Sequence, residues 1–109
     1  MMKTQKEIEP FAAMVEQQQR AEFARDYPGP YFDERCDMAC KVKLSMGKKF
    51  ARVDVGQSGK YMVDLETGEI YSIKGYGVVH RGHRFGTLDT IGDWDWSGYR
   101  ATQRKLVAA

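Results

Sequence analysis

His80, Arg81, His83 and Arg84 fall within five residues of a glycine-rich run from Gly75 to Gly86, with Tyr76 and Phe85 beside them. Arginine grips phosphate or carboxylate in a bidentate fork, and glycine lets a ligand approach the backbone closely. Together with Lys48, Lys49 and Arg52, these residues form a candidate binding patch for nucleic acid or an acidic protein surface, with Tyr76 available for stacking. The competing reading is a solvated loop crossing a sheet edge, its glycines serving only its turns.

Cys36 and Cys40, with His80 and His83, are ligand types that zinc prefers, arranged as two pairs. A structural zinc site more often uses two cysteines in a tighter knuckle, so reduced thiols are the expected state and no metal is assigned. Trp94 and Trp96 point to one side of an extended segment, with Asp93 and Asp95 on the other. Core packing is their expected role, and an exposed interface pair is the alternative. The search for catalytic sets finds none. Gly56-Gln57-Ser58-Gly59-Lys60 lacks the spacing of a phosphate-binding loop, and neither a nucleophile elbow nor a zinc-protease motif is present. The expectation is a protein that is not an enzyme and needs no cofactor.

These residues need a scaffold. Between Glu9-Pro10 and Tyr27-Pro28-Gly29-Pro30 the chain is rich in helix formers, which predicts a helix over about residues 9–26 with Pro10 in its first position. Thr4 and Glu7 have capping-box spacing, but a start there puts the Pro10 ring against the Lys6 carbonyl. Its apolar stripe, Phe11 and Val15 with Ala12 and Phe23, is interrupted by Gln18, Gln19 and Glu22, so it packs loosely or lends a side to a partner. Tyr31 to Ala39 reads as an irregular acidic loop. From Cys40 the period becomes two: Val42, Leu44 and Met46; Ala51, Val53 and Val55; Tyr61, Val63 and Leu65; then Ile70 to Lys74. Short turns join these runs, so about four strands form an antiparallel meander over residues 40–74. The helix is the available lid for its apolar face, which makes the fold α+β. Residues 75–109 read as a Gly-rich loop, a short helical segment capped by Thr87, and an irregular basic tail.

The chain's 109 residues suit one domain, spanning 1–109. With 42% hydrophobic, 29% charged and 12% aromatic residues it has the composition of a folded protein. No run approaches the roughly 18 apolar residues of a membrane helix, and the N-terminus lacks the apolar stretch of a signal peptide. Two cysteines are too few for a disulfide scaffold, so a cytoplasmic location is expected. The net charge of +2 conceals an asymmetry. Residues 1–40 hold five basic and eight acidic groups, whereas residues 41–60 hold six basic groups and one acid, and 61–109 balance at six each. Such a division steers a charged partner, or merely solvates a sheet face.

The stretch Val63-Asp64-Leu65-Glu66-Thr67-Gly68-Glu69-Ile70-Tyr71-Ser72-Ile73-Lys74-Gly75-Tyr76-Gly77, followed by Gly86-Thr87-Leu88-Asp89, resembles the central block of small accessory proteins of bacteriophages and mobile elements. Many such proteins inhibit host defence complexes, anti-CRISPR proteins among them, and lack catalytic residues. The resemblance therefore implies a non-enzymatic protein that binds a host protein or ribonucleoprotein complex in the bacterial cytoplasm, and it carries over no site residue. The alternative is a small domain that binds nucleic acid directly through the basic Gly-rich loop. An inhibitor that imitates nucleic acid would use instead the acidic arm: Glu7, Glu9, Glu16, Glu22, Asp26, Asp33, Glu34 and Asp37.

Overall fold

The computed structural model describes residues 2–75, 78–98 and 101–103, and the side chains of all of these except 74, 75, 78, 80 and 81. The first helix, α1, runs Gln5–Asp26. It begins a turn before Pro10, contrary to the sequence-based expectation, and the reason is Ile8. Starting at Gln5 places Ile8 on the same stripe as Phe11, Val15 and Gln19, and all four are buried. The Thr4 N–H donates to Glu7 Oε1 at 3.1 Å, which satisfies a free donor at the entry. The carbonyl that Pro10 leaves unpaired belongs to Lys6, an exposed residue in contact with solvent.

Tyr27, whose N–H bonds the Phe23 carbonyl at 2.7 Å, ends α1 ahead of Pro28. The expected irregular loop from Tyr31 to Ala39 is instead mostly a second helix, α2, Glu34–Cys40. Asp33 caps it, its Oδ1 accepting from the N–H groups of Arg35 at 3.0 Å and Cys36 at 3.1 Å. Seven residues give too short a pattern to reveal a helical period.

Five antiparallel strands follow in chain order: β1 Val42–Met46, β2 Phe50–Val55, β3 Ser58–Asp64, β4 Glu69–Gly75 and β5 Val78–Thr87. The fold is the α+β arrangement expected, a helix on an antiparallel meander, with one strand more than the four read from alternation. That strand is the Gly-rich segment, expected as a loop. Its pairing is irregular: Tyr71 lies opposite Arg84 and the next residue, Ser72, opposite His80, leaving Arg81, Gly82 and His83 between them. A 3₁₀ segment, Leu88–Asp93, follows with Thr87 accepting from the Asp89 N–H at 3.2 Å, and β6, Trp94–Asp95, pairs with β7, Thr102–Gln103.

One face of the sheet carries Val53, Tyr61, Val63 and Ile70 against Ile8, Phe11 and Val15 of α1. Trp96 completes this lid, with its ring centroid 4.7 Å from Phe11 and 5.2 Å from Tyr61, both edge-to-face. Two of the three polar residues that thin the stripe of α1, Gln18 and Gln19, are clamps. Gln18 Oε1 accepts from the Trp96 N–H at 2.6 Å, and Gln19 Nε2 donates to the Trp96 carbonyl at 2.7 Å. Glu16 Oε1 accepts from the Val42 N–H at 2.9 Å, fastening the helix to the edge strand.

Candidate interaction surface

The face of the sheet turned away from α1 is built by strand register. Ser45 pairs with Arg52, Arg52 with Met62, Met62 with Tyr71, and Tyr71 with Arg84. Directly opposed residues of antiparallel strands share a face, so these five side chains form one row across all five strands. With neighbouring strands spaced at roughly 4.8 Å, Arg52 and Arg84 stand about 14 Å apart.

The middle of the row is packed. Tyr71 is 7% exposed and Met62 6%. Phe50 meets the Tyr71 ring edge-on at 6.4 Å. Tyr71 donates its hydroxyl to Glu69 Oε2 at 2.7 Å, and Arg84 Nη1 reaches the same oxygen at 3.3 Å. The Tyr71 ring is therefore not open for a base to stack on, and the row is an apolar seam flanked by cations. At its β1–β2 end, Lys49, Phe50, Arg52 and Met62 border a shallow hollow of about 320 Å³. The single acid of the basic stretch, Asp54, is buried opposite Lys43, and its Oδ1 has no hydrogen-bond partner among the described residues.

Of the residues singled out from sequence, Lys49, Arg52 and Arg84 come together on or beside this face. Lys48 is exposed in the β1–β2 turn. His83 is half-buried in β5, at the register shift between Arg84 and His80. His80 and Arg81 have their backbone in β5, but their side chains, like the whole of Tyr76, lie outside the described residues. Sequence reasoning missed Met62, Tyr71 and Phe50. The signal was present, since all three are large apolar residues at the strand positions that alternate with the core-facing ones.

The two cysteines belong to a different place. Cys36 and Cys40 lie one turn apart on α2, and their Sγ atoms face the carbonyls of Tyr31 and Gln19, each at 3.8 Å. Cys40 closes the helix rather than opening a strand. Burial pushes its thiol pKa up. No group of three or more metal-ligating side chains occurs among the described residues. Trp96 is fully buried and Trp94 packs on Phe85 at 5.6 Å, which places the tryptophan pair in or against the core. The acidic arm is largely spent on internal pairs: Glu7 with Lys3, Glu16 and Asp37 with Arg20, Glu22 with Arg25, and Asp33 with Arg35. A nucleic-acid mimic needs a free row of negative charge, and these pairings work against that use of the arm.

The chain matches no protein-family model, no curated protein and no solved structure. Among the described residues no helix is long and apolar enough to cross a membrane.

Proposed function

We propose that this chain is a non-enzymatic accessory protein of a bacteriophage or mobile element that binds a host macromolecular complex through the open face of its sheet. The observation carrying the surface assignment is the cross-strand row in which Arg52 and Arg84 flank the packed Met62–Tyr71 seam. Arginine is enriched at protein interfaces and among their energetic anchors, and Arg52 and Arg84 present two such cations on one face, held either side of a packed seam. The resemblance of the β3–β4 hairpin to phage accessory proteins supports the setting, a bacterial cytoplasm, and the role, inhibition of a defence complex such as CRISPR-Cas.

Direct nucleic-acid binding is the second reading, favoured by the gathering of Lys49, Arg52 and Arg84 along one side. A tagged chain and its Arg52→Glu variant, each used to capture partners from bacterial lysate with and without nuclease, separate the two. A host complex that is retained at near-stoichiometric amount after nuclease, and lost with Arg52→Glu, supports the accessory-protein reading. Nucleic acid that disappears with nuclease, with affinity falling steeply in salt, moves the assignment to the second.

A further inference from the structure

We propose that the corner formed by α2 and the start of β1 is a second docking surface, built for a partner segment that carries an apolar side chain flanked by aspartate or glutamate. A cleft of about 580 Å³ opens there, with Met38, Ala39 and Val42 as apolar floor and Arg35, Lys41 and Lys43 around it. Its lining holds three cations and no carboxylate. The nearest acid to Arg35 is Asp33, at 3.3 Å, and it lies outside the cleft. Asp33 is ion-paired with Arg35 and Asp37 acts on Lys41 from outside the cleft, so the positive charge offered to an occupant's carboxylate centres on Lys41 and Lys43.

The cleft is part of the fold and not a gap between loose ends. Gly56 closes one side with φ of +61°, its N–H bonded to the Lys41 carbonyl at 2.8 Å. A Cβ at Gly56 would stand 3.0 Å from the Ala39 carbonyl oxygen, so the β2–β3 turn sits tightly on the end of α2. Beyond Arg35, a second hollow of about 480 Å³ continues the surface over Phe23, Tyr27 and Tyr31, and Asp33, the partner of Arg35, lies in its lining. Tyr31 is 72% exposed, Met38 56% and Tyr27 47%, so three of the large apolar side chains in solvent gather at this corner around one arginine. Tyrosine, methionine and arginine are enriched in interface centres, whereas a polyanion follows a longer charged track than this pocket provides. None of the lining residues belongs to the Arg52–Arg84 row, and the inference does not rest on the sheet-face reading.

The test is selection of a displayed library of random peptides on the immobilised full chain, followed by titration of the enriched peptides into isotope-labelled protein. The expected peptides pair an acidic residue with a neighbouring Leu, Ile, Phe or Met, and they shift the amide resonances of residues 35–43, 56 and 57. Reversing both Lys41→Glu and Lys43→Glu weakens them by about tenfold or more. Met38→Ala also weakens them, and Arg52→Glu leaves them unchanged. Peptides without an acidic bias, shifts centred on Arg52, Met62, Tyr71 and Arg84, or full binding to the double reversal would overturn the proposal. So would dilution that moves the same resonances without peptide, which would give the surface to a second copy of the chain.

Discussion

Gln19 reaches from the middle of α1 to the Trp96 carbonyl, 77 residues away in the chain, with a buried hydrogen bond of 2.7 Å. The same Nε2 also donates to the Gly98 carbonyl at 3.2 Å, and Gln18 holds the Trp96 N–H. Two adjacent glutamines thus satisfy a segment whose backbone has no strand partner at that point. Replacing Gln19 with Ala leaves a buried carbonyl unpaired, which costs about 1–3 kcal/mol. Urea unfolding followed by tryptophan fluorescence should show that loss, and Gln19→Leu should not recover it. An unchanged midpoint would mean that solvent reaches the Trp96 carbonyl.

Gly86 allows β5 to bend into the 3₁₀ segment. Its φ is +74°, and a Cβ there would fall within van der Waals overlap of Thr90 Oγ1 and, at 2.8 Å, of Trp94 Nε1. Gly86→Ala should therefore cost more than the roughly 1–2 kcal/mol of left-handed backbone strain alone. Gly29→Ala is the control, because Gly29 has a similar φ of +58° but open space around it. Thermal unfolding of the two variants should rank Gly86→Ala as clearly the less stable.

Acid should weaken the attachment of α1 to the edge strand. The Val42 N–H bonds the charged Glu16 carboxylate and holds its pKa below the ordinary 4.5, with Arg20 adding to the effect and burial opposing it. Asp37 is likewise held below 3.8, chiefly by its hydrogen bond from Arg20. Because the folded pKa values are depressed, this stabilisation is complete above the unfolded values and is lost as pH falls through the folded ones. Unfolding free energy should be insensitive to these groups from neutrality down to about pH 5 and decline below it. Glu16→Gln should flatten part of that decline, and identical acid slopes for the two proteins would contradict the assignment.

Cys40 should be chemically silent in the folded protein. It is fully buried, and burial raises its thiol pKa, so little thiolate is exposed to an alkylating reagent. Iodoacetamide labelling read by peptide mass should modify Cys40 only as fast as the chain opens, and rapidly in denaturant. Fast labelling of Cys40 without denaturant would reveal local opening of the α1–α2 contact.

Alternation made β1 to β4 readable, because the apolar residues facing α1 recur at every second position, even though Met62 and Tyr71 are buried on the other face as well. β5 hid because Gly82 and Gly86 remove side chains from the pattern and the bulge of Arg81, Gly82 and His83 breaks its period. The start of α1 was misplaced because Pro10 argues locally against it, whereas the burial of Ile8 is a tertiary fact. The residue types of the interaction surface were visible as Arg52 and Arg84, but their common face depends on register carried through three strand pairs. Gln18 and Gln19 read as flaws in an apolar stripe, since nothing local identifies a backbone group that comes to meet them from the far end of the chain.

The sheet's spatial order is also its chain order, and this shapes how the molecule comes into being. During synthesis each strand can pair with the one made just before it, so the hairpins need only short loops to close. The helix, made first, is in the opposite position. Its glutamines wait for residue 96, and the cluster of Phe11, Tyr61, Phe85 and Trp96 cannot close until all five strands and Trp96 itself have left the ribosome.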